Sequence, residues 1–326
     1  MTIHTVKSGD SVYSIAREYS IPPSRIITDN LLENPSRLTV GQDLVIQFPT
    51  VTHTVRGGET LSGIAARYGT TLLDLYRNNP ILDGQPTVYP GQVLNIFYET
   101  PPLGEISLNG YAYTSIDRDV LRRTLPYLTY LSVFSYGITE EGTLIPPAGD
   151  DTELIALARE YRTVPLLVLT SVTERGTFSS ERAANILGNP ALRTALVESV
   201  VNTLREKGYG GLDVDFEYVP AENADDYAAF VAELNAAVGE DYSVFVALAP
   251  KYSADQQGLL YQGHDYRALG EAADYALLMT YEWGYTYNNK CYMLYFIKNL
   301  QGYRGVLPPA AGAFGAVIFY NRYNTF

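Results

Sequence analysis

The chain is poor in the residues that most metal and nucleophile chemistry requires. Its 326 residues hold one cysteine, Cys291, and three histidines, His4, His53 and His264. A single cysteine excludes an internal disulfide and a cysteine-rich zinc site. Three histidines, two of them at equivalent places in a repeat, argue against a Ser-His-Asp triad and against a multi-histidine metal site. Basic residues are also scarce: 23 Lys and Arg face 36 Asp and Glu, a formal net charge of −13. So acidic a chain lacks the basic patch that nucleic acid or an anionic membrane surface would need. No run of about 18 apolar residues is present, so no membrane insertion is expected. The opening MTIHTVKSGD has no basic segment leading into an apolar stretch, so synthesis in the cytoplasm without a secretory signal is expected. Apolar residues, by contrast, make up 46% of the chain, enough for a large core.

The first hundred residues repeat. HTVKSGDSVYSIAREYSI, from His4, aligns with HTVRGGETLSGIAARYGT, from His53, at an offset of 49. Gly9 matches Gly58, Ile15 matches Ile64, Tyr19 matches Tyr68 and Asn30 matches Asn79. VGQDLVI and PGQVLNI close the two copies. A period near 50 means two copies of one small module. Each copy reads as strand, helix, helix, strand, here residues 1–48 and 51–98. The pattern resembles the LysM module, which binds N-acetylglucosamine backbones of peptidoglycan or chitin. The resemblance places glycan contacts at Gly9, Asp10, Ser11, Asn30, Leu31 and Leu32, and at Gly58, Glu59, Thr60, Asn79, Pro80 and Ile81. The same residue types also serve simply as turn formers and helix caps.

A Pro- and Gly-containing linker, 99–105, precedes a different kind of chain. Six apolar runs recur between 106 and 281, separated by helical stretches: ISLNGYAY, LTYLSVFSYGI, VPLLVLTSV, GLDVDFEYV, YSVFVALAP and ADYALLMTY. Before the fourth run, Asn189-Pro190 supplies a cap and a first-turn proline, Leu192, Leu196, Val200 and Leu204 keep helical spacing, and Gly208 marks the stop. Strands alternating with helices imply parallel βα units. Six units over 106–287 predict a (β/α)8 barrel, incomplete as far as these units go, with its chemistry at the C-terminal ends of the strands.

The fourth run carries the chemistry. Asp213, Asp215 and Glu217 alternate with Leu212, Val214 and Phe216. The alternation predicts a strand with one face buried and three carboxylates on a single face, roughly 7 Å apart per two residues. Inside a barrel, neighbouring carboxyls cannot all ionise, and a protonated one can act as a general acid. Three alternate positions on a strand converge poorly on one cation, so no metal and no cofactor is expected.

DVDFE resembles the strand-four DxxDxDxE signature of the family-18 glycoside hydrolases. Gly210 stands where that signature has its first acid. LLMTYEWGY resembles the family's strand-six Met-x-Tyr-Asp segment, through Met279 and Tyr281, with Glu282 in place of Asp. Tyr111 stands where the family often has a strand-one aromatic, while LTSVTERGTF replaces its strand-three SxGG. The resemblance implies Glu217 as general acid, Asp215 holding the substrate's acetamido group, Asp213 sharing a proton with Asp215, and Tyr281 contacting the acetamido oxygen. Tyr111, Met279, Glu282 and Trp283 would line the sugar site. Two LysM modules before such a barrel are similar to spore-germination and cortex-lytic hydrolases of endospore-forming bacteria. That implies cleavage of β-1,4 bonds following N-acetylglucosamine in peptidoglycan, at the spore coat or cortex. Chitin hydrolysis and non-catalytic wall binding are the alternatives.

Residues 288–326 stand apart. They hold no Asp or Glu and the only cysteine. This segment reads as a truncated or rearranged end, which predicts an open barrel with exposed apolar edges.

Overall fold

The computed structural model describes residues 1–99, 106–251, 253 and 255–279, and the backbone of 316–319. The chain divides into two compact units, Met1–Glu105 with Asp117–Tyr127, and Ile106–Ile116 with Leu128–Phe326.

The N-terminal unit contains the two repeats. The first is β1 (Thr2–Thr5), α1 (Val12–Glu18), α2 (Pro23–Asp29) and β2 (Asp43–Ile46). The second is β3 (Pro49–Thr54), α3 (Leu61–Tyr68), α4 (Leu72–Asn78) and β4 (Val93–Tyr98). In each, the outer strands pair antiparallel. The helices start where oxygen side chains cap them: Ser11 forms a reciprocal capping box with Ser14, and Thr60 accepts from the Gly63 N–H. Val6, Val12, Ile15, Ile26, Leu44 and Ile46 form the buried core of the first repeat.

The C-terminal unit is a parallel sheet with helical crossovers. Its chain order is β5 (Leu108–Tyr113), α5 (Arg118–Thr124), β6 (Tyr130–Ile138), β7 (Leu144–Ile145), α6 (Thr152–Glu160), β8 (Val164–Thr170), α7 (Ser180–Gly188), α8 (Pro190–Lys207), β9 (Gly211–Asp215), α9 (Ala224–Val238), β10 (Ser243–Leu248), α10 (Leu259–Gln262), α11 (Tyr266–Ala272) and β11 (Tyr275–Leu278). Of these, α5 groups with the N-terminal unit. The strand order is β11-β10-β9-β8-β6-β5, each pair parallel. All six predicted strands are present, and α8 begins and ends as predicted. Asn189 accepts from the Ala191 N–H, and Gly208 closes the helix at φ 79°, a left-handed conformation that glycine adopts without steric cost.

The sheet curls. β6 and β10 are separated by β8 and β9, which in a flat sheet would put them about 14 Å apart. Yet the Tyr130 and Phe245 rings lie 4.9 Å apart, and Phe245 stacks on Tyr275 at 4.5 Å. These rings fill one end of the interior. The backbone of β12 (Ala316–Phe319) pairs parallel with β5 from Leu108 to Tyr111. This corrects the expectation of open edges on that side: the β5 edge is covered. The rest of 288–326 lies outside the described residues.

Candidate active site

β9 carries the acids, and its sequence determines how closely it packs. A Cβ at Gly211 would meet the Ser243 carbonyl oxygen at 2.5 Å, and one at Gly210 would meet Val164 Cγ1 at 2.6 Å. An acid at position 210 would therefore require the Val164 side chain to move. The expected strand with one buried face is corrected too, because both faces are buried. Leu212, Val214 and Phe216 are fully buried, and Asp213 and Asp215 are 0% and 6% exposed. A strand covered on both faces is what a parallel barrel requires.

The inward face brings distant strands to Asp213. Tyr111 Oη on β5 donates to Asp213 Oδ2 at 2.5 Å, and Ser132 Oγ on β6 donates to the same oxygen at 2.9 Å. Asn109 Nδ2 donates to Ser132 Oγ at 2.9 Å, which orients that hydroxyl. Burial pushes the Asp213 carboxyl up to about 6, against the opposite pull of the two hydroxyl donors. Asp215 is pushed well above the ordinary carboxylate range, first by burial and then by the charges of Asp213 and Glu217. Oδ1 of each aspartate is buried and takes no hydrogen bond among the described residues. Deeply buried carboxyls with few donors hold protons near neutral pH.

Glu217 is placed differently from the expectation. β9 ends at Asp215, so Glu217 lies two residues beyond the ladder, half-buried at its C-terminal end. The residue before it is firmly packed. Phe216 is buried, with its ring stacked on Tyr227 at 5.8 Å and on Phe230 at 5.7 Å, both on α9. Met279 is buried in one apolar cluster with Tyr111, Val168, Ala247, Ala249 and Leu277. Tyr281, Glu282 and Trp283 lie outside the described residues. Sequence reasoning missed Ser132 and Asn109. Their signal was a polar residue at an inward position of an apolar run, Ser132 between Leu131 and Val133.

In the repeats, several residues expected to touch glycan are occupied by the fold. Asn79 Nδ2 donates to the Leu75 and Asn95 carbonyls, and its Oδ1 accepts from the Asn95 N–H. Asn30 makes the same three bonds with Ile26 and Val45. Asp10 accepts from the Lys7 N–H at 2.7 Å and meets His4 Nε2 at 3.1 Å. Glu59 accepts from the Arg56 N–H at 2.8 Å and meets His53 at 2.6 Å and Arg67 at 2.5 Å. Each histidine also contacts a tyrosine hydroxyl, Tyr19 or Tyr68. These side chains brace the loop from within. Leu32 packs against the first core. Gly9 and Gly58 turn at φ 92° and 83° with open space where a Cβ would stand, and Leu31 and Ile81 are exposed. Ser11 and Thr60 are the caps described above. Pro80 and Ile81 line a 490 Å³ cleft of the N-terminal unit, opposite Ile21, Arg25 and Phe48.

Fold and site together define a modular α/β-barrel protein of the glycosidase type. The family model "Glycosyl hydrolases family 18" matches residues 122–294, and "LysM domain" matches 4–47 and 53–97. The chain belongs to glycosyl hydrolase family 18 and carries two LysM domains ahead of the barrel. It is 33% identical over 293 residues to a "Cortical fragment-lytic enzyme" of Bacillus subtilis, covering 88% of this chain and 67% of that protein. It is 31% identical over 291 residues to the one of Bacillus anthracis, covering 87% and 66%. The chain thus spans about two thirds of these relatives' length. The crystal structure of the Bacillus megaterium spore cortex-lytic enzyme SleL superposes with a TM-score of 0.73 at 29% identity, over 97% of this chain and 73% of that one. A chitinase of Chromobacterium violaceum shares the fold at a TM-score of 0.57 and 20% identity.

Proposed function

We propose that this chain binds peptidoglycan through its LysM domains and cleaves β-1,4 bonds following N-acetylglucosamine in spore cortex fragments during germination. The observation that carries the reading is the buried pair Asp213–Asp215 behind Glu217 at the C-terminal end of a barrel strand. Glu217 gives its proton to the glycosidic oxygen. The substrate's own acetamido oxygen attacks the anomeric carbon as the C–O bond breaks, giving an oxazolinium ion. Glu217, now a carboxylate, takes a proton from the water that opens this ion, and configuration is retained. Asp215 accepts the acetamido N–H, which steadies the positive charge that develops there. Asp213, held by Tyr111 and Ser132, shares a proton with Asp215, so the pair carries about one charge rather than two. Tyr281, Glu282 and Trp283 complete the sugar site. The exposed Gly9–Ser11 and Gly58–Thr60 loops, with Leu31, Pro80 and Ile81, meet the glycan.

The relatives named for cortex fragments support the substrate and a place at the spore cortex. The test is reducing-sugar release from cortex fragments by the parent chain and by Glu217→Gln. The reading predicts release by the parent and a loss of ~10²–10⁴-fold in the variant. Equal release by both would overturn it, and release by neither would favour a wall-binding protein without catalysis.

A further inference from the structure

Glu217 lies past the last ladder bond of β9, so the sheet does not fix it. The Phe216 carbonyl, one residue before, has a different partner. His264 Nε2 lies 3.0 Å from Phe216 O, and the Ala249 N–H donates to His264 Nδ1 at 3.1 Å. The donor at Ala249 leaves Nδ1 without a proton, so the proton is on Nε2 and points at the Phe216 carbonyl. One neutral imidazole thus joins the ends of two neighbouring strands just where their ladder stops, since β10 ends at Leu248.

The turn that delivers His264 is built for this. A Cβ at Gly263 would meet the Val219 carbonyl oxygen at 2.2 Å and Val219 Cβ at 2.6 Å, so only glycine lets the turn approach the Phe216–Val219 segment. Asp265 caps α11 by accepting from the Arg267 and Ala268 N–H groups. Tyr266 Oη accepts from the Lys251 N–H at 3.0 Å and donates to the Ala249 carbonyl. Lys251 Nζ donates to the His264 carbonyl at 2.5 Å. His264 is fully buried, and burial pushes its imidazole down to about 4, so the neutral form persists through the physiological range.

We propose that His264, carried by the Gly263–Tyr266 turn, is the positioning residue that sets where the Glu217 carboxyl stands. This rests on the catalytic reading of Glu217. His264 touches no reacting atom, and it acts through the Phe216 backbone.

The test measures kcat and KM on cortex fragments with the full chain, for His264→Leu, His264→Gln and Gly263→Ala. Leu removes both hydrogen bonds. Gln restores an amide N–H near the place of Nε2. Gly263→Ala leaves His264 intact but pushes its turn away from Val219. The expected result is a kcat lowered about 10–100-fold in the Leu and Ala variants with KM little changed, because a shift near 1 Å in a reacting group costs that much. Gln should recover most of the loss. A folded Leu variant with parental kcat would overturn the inference, as would a Gln variant no better than a folded Leu variant. If Leu fails to fold, Gly263→Ala decides: reduced kcat at parental KM supports the assignment, and unchanged kcat overturns it. A parent chain without hydrolysis would overturn the catalytic reading and this inference together. An active parent with inactive Glu217→Gln and indifferent His264 variants would overturn this inference alone.

Discussion

Asp213 and His264 are buried groups whose proton affinities move in opposite senses, and each makes a stability prediction. Asp213 rises to about 6 from an ordinary value near 3.8. Its folded form binds protons more tightly than its unfolded form. Its contribution is therefore full below about 4 and is lost as pH rises through 6. Asp213→Asn removes that loss, so the variant should gain on the parent by on the order of 3 kcal/mol between pH 4 and pH 7. Denaturant melts of both proteins across that range check it, and a constant difference would contradict it. His264 falls to about 4 from 6.5. Its contribution is present above 6.5 and lost as pH falls toward 4, again on the order of 3 kcal/mol. The two slopes oppose each other between pH 4 and 6, so single variants will reveal what the parent conceals. Tyr111→Phe should leave Asp213 with one donor, raise its proton affinity further and cost about 1–3 kcal/mol at neutral pH, read from the same melts. The three acids were legible as a pattern because a row of carboxylates on one strand face needs a reason. Ser132, Asn109 and His264 were not, because single polar residues in apolar runs or turns acquire meaning only when the curl of the sheet brings strands together.

The elements were legible to the extent that local signals define them. Asn189, Pro190 and Gly208 mark α8 at both ends, and the six apolar runs became six parallel strands. The end of β9 was less legible. The alternation runs on through Phe216 and Glu217, but pairing stops at Asp215, and the alternation cannot report where hydrogen bonding ceases. Asn30 and Asn79, which the resemblance puts among the glycan contacts, also have a structural part that the sequence did not show: their amides tie the second helix to the closing strand. Asn79→Ala would strand the buried Leu75 and Asn95 backbone groups, and should destabilise the N-terminal unit by roughly 3 kcal/mol, since each orphaned group costs about 1–3 kcal/mol. Calorimetry of the full chain should show that transition move while hydrolysis at low temperature stays at the parental level. An unmoved transition would contradict the assignment.

At the scale of the whole molecule, the proposed function assigns recognition to the N-terminal unit and chemistry to the C-terminal unit. Glu217 belongs to the C-terminal unit, so Glu217→Gln should sediment with peptidoglycan as the parent does while releasing ~10²–10⁴-fold less sugar. Loss of binding in that variant would contradict the division of labour. The repeat period revealed the modules directly. The segment from 288 was least legible, since its composition matched no barrel element; among the described residues, the pairing of Ala316–Phe319 with β5 connects it to the fold.

The central claim is that Glu217 cleaves a glycosidic bond with the substrate's own amide as the nucleophile. Proton NMR of the first product formed from N-acetylated cortex fragments, beside the same fragments stripped of N-acetyl groups, tests it most directly. The account predicts β-anomer first from the acetylated glycan and no turnover of the stripped one. An α-anomer first, or equal cleavage of both glycans, would contradict it.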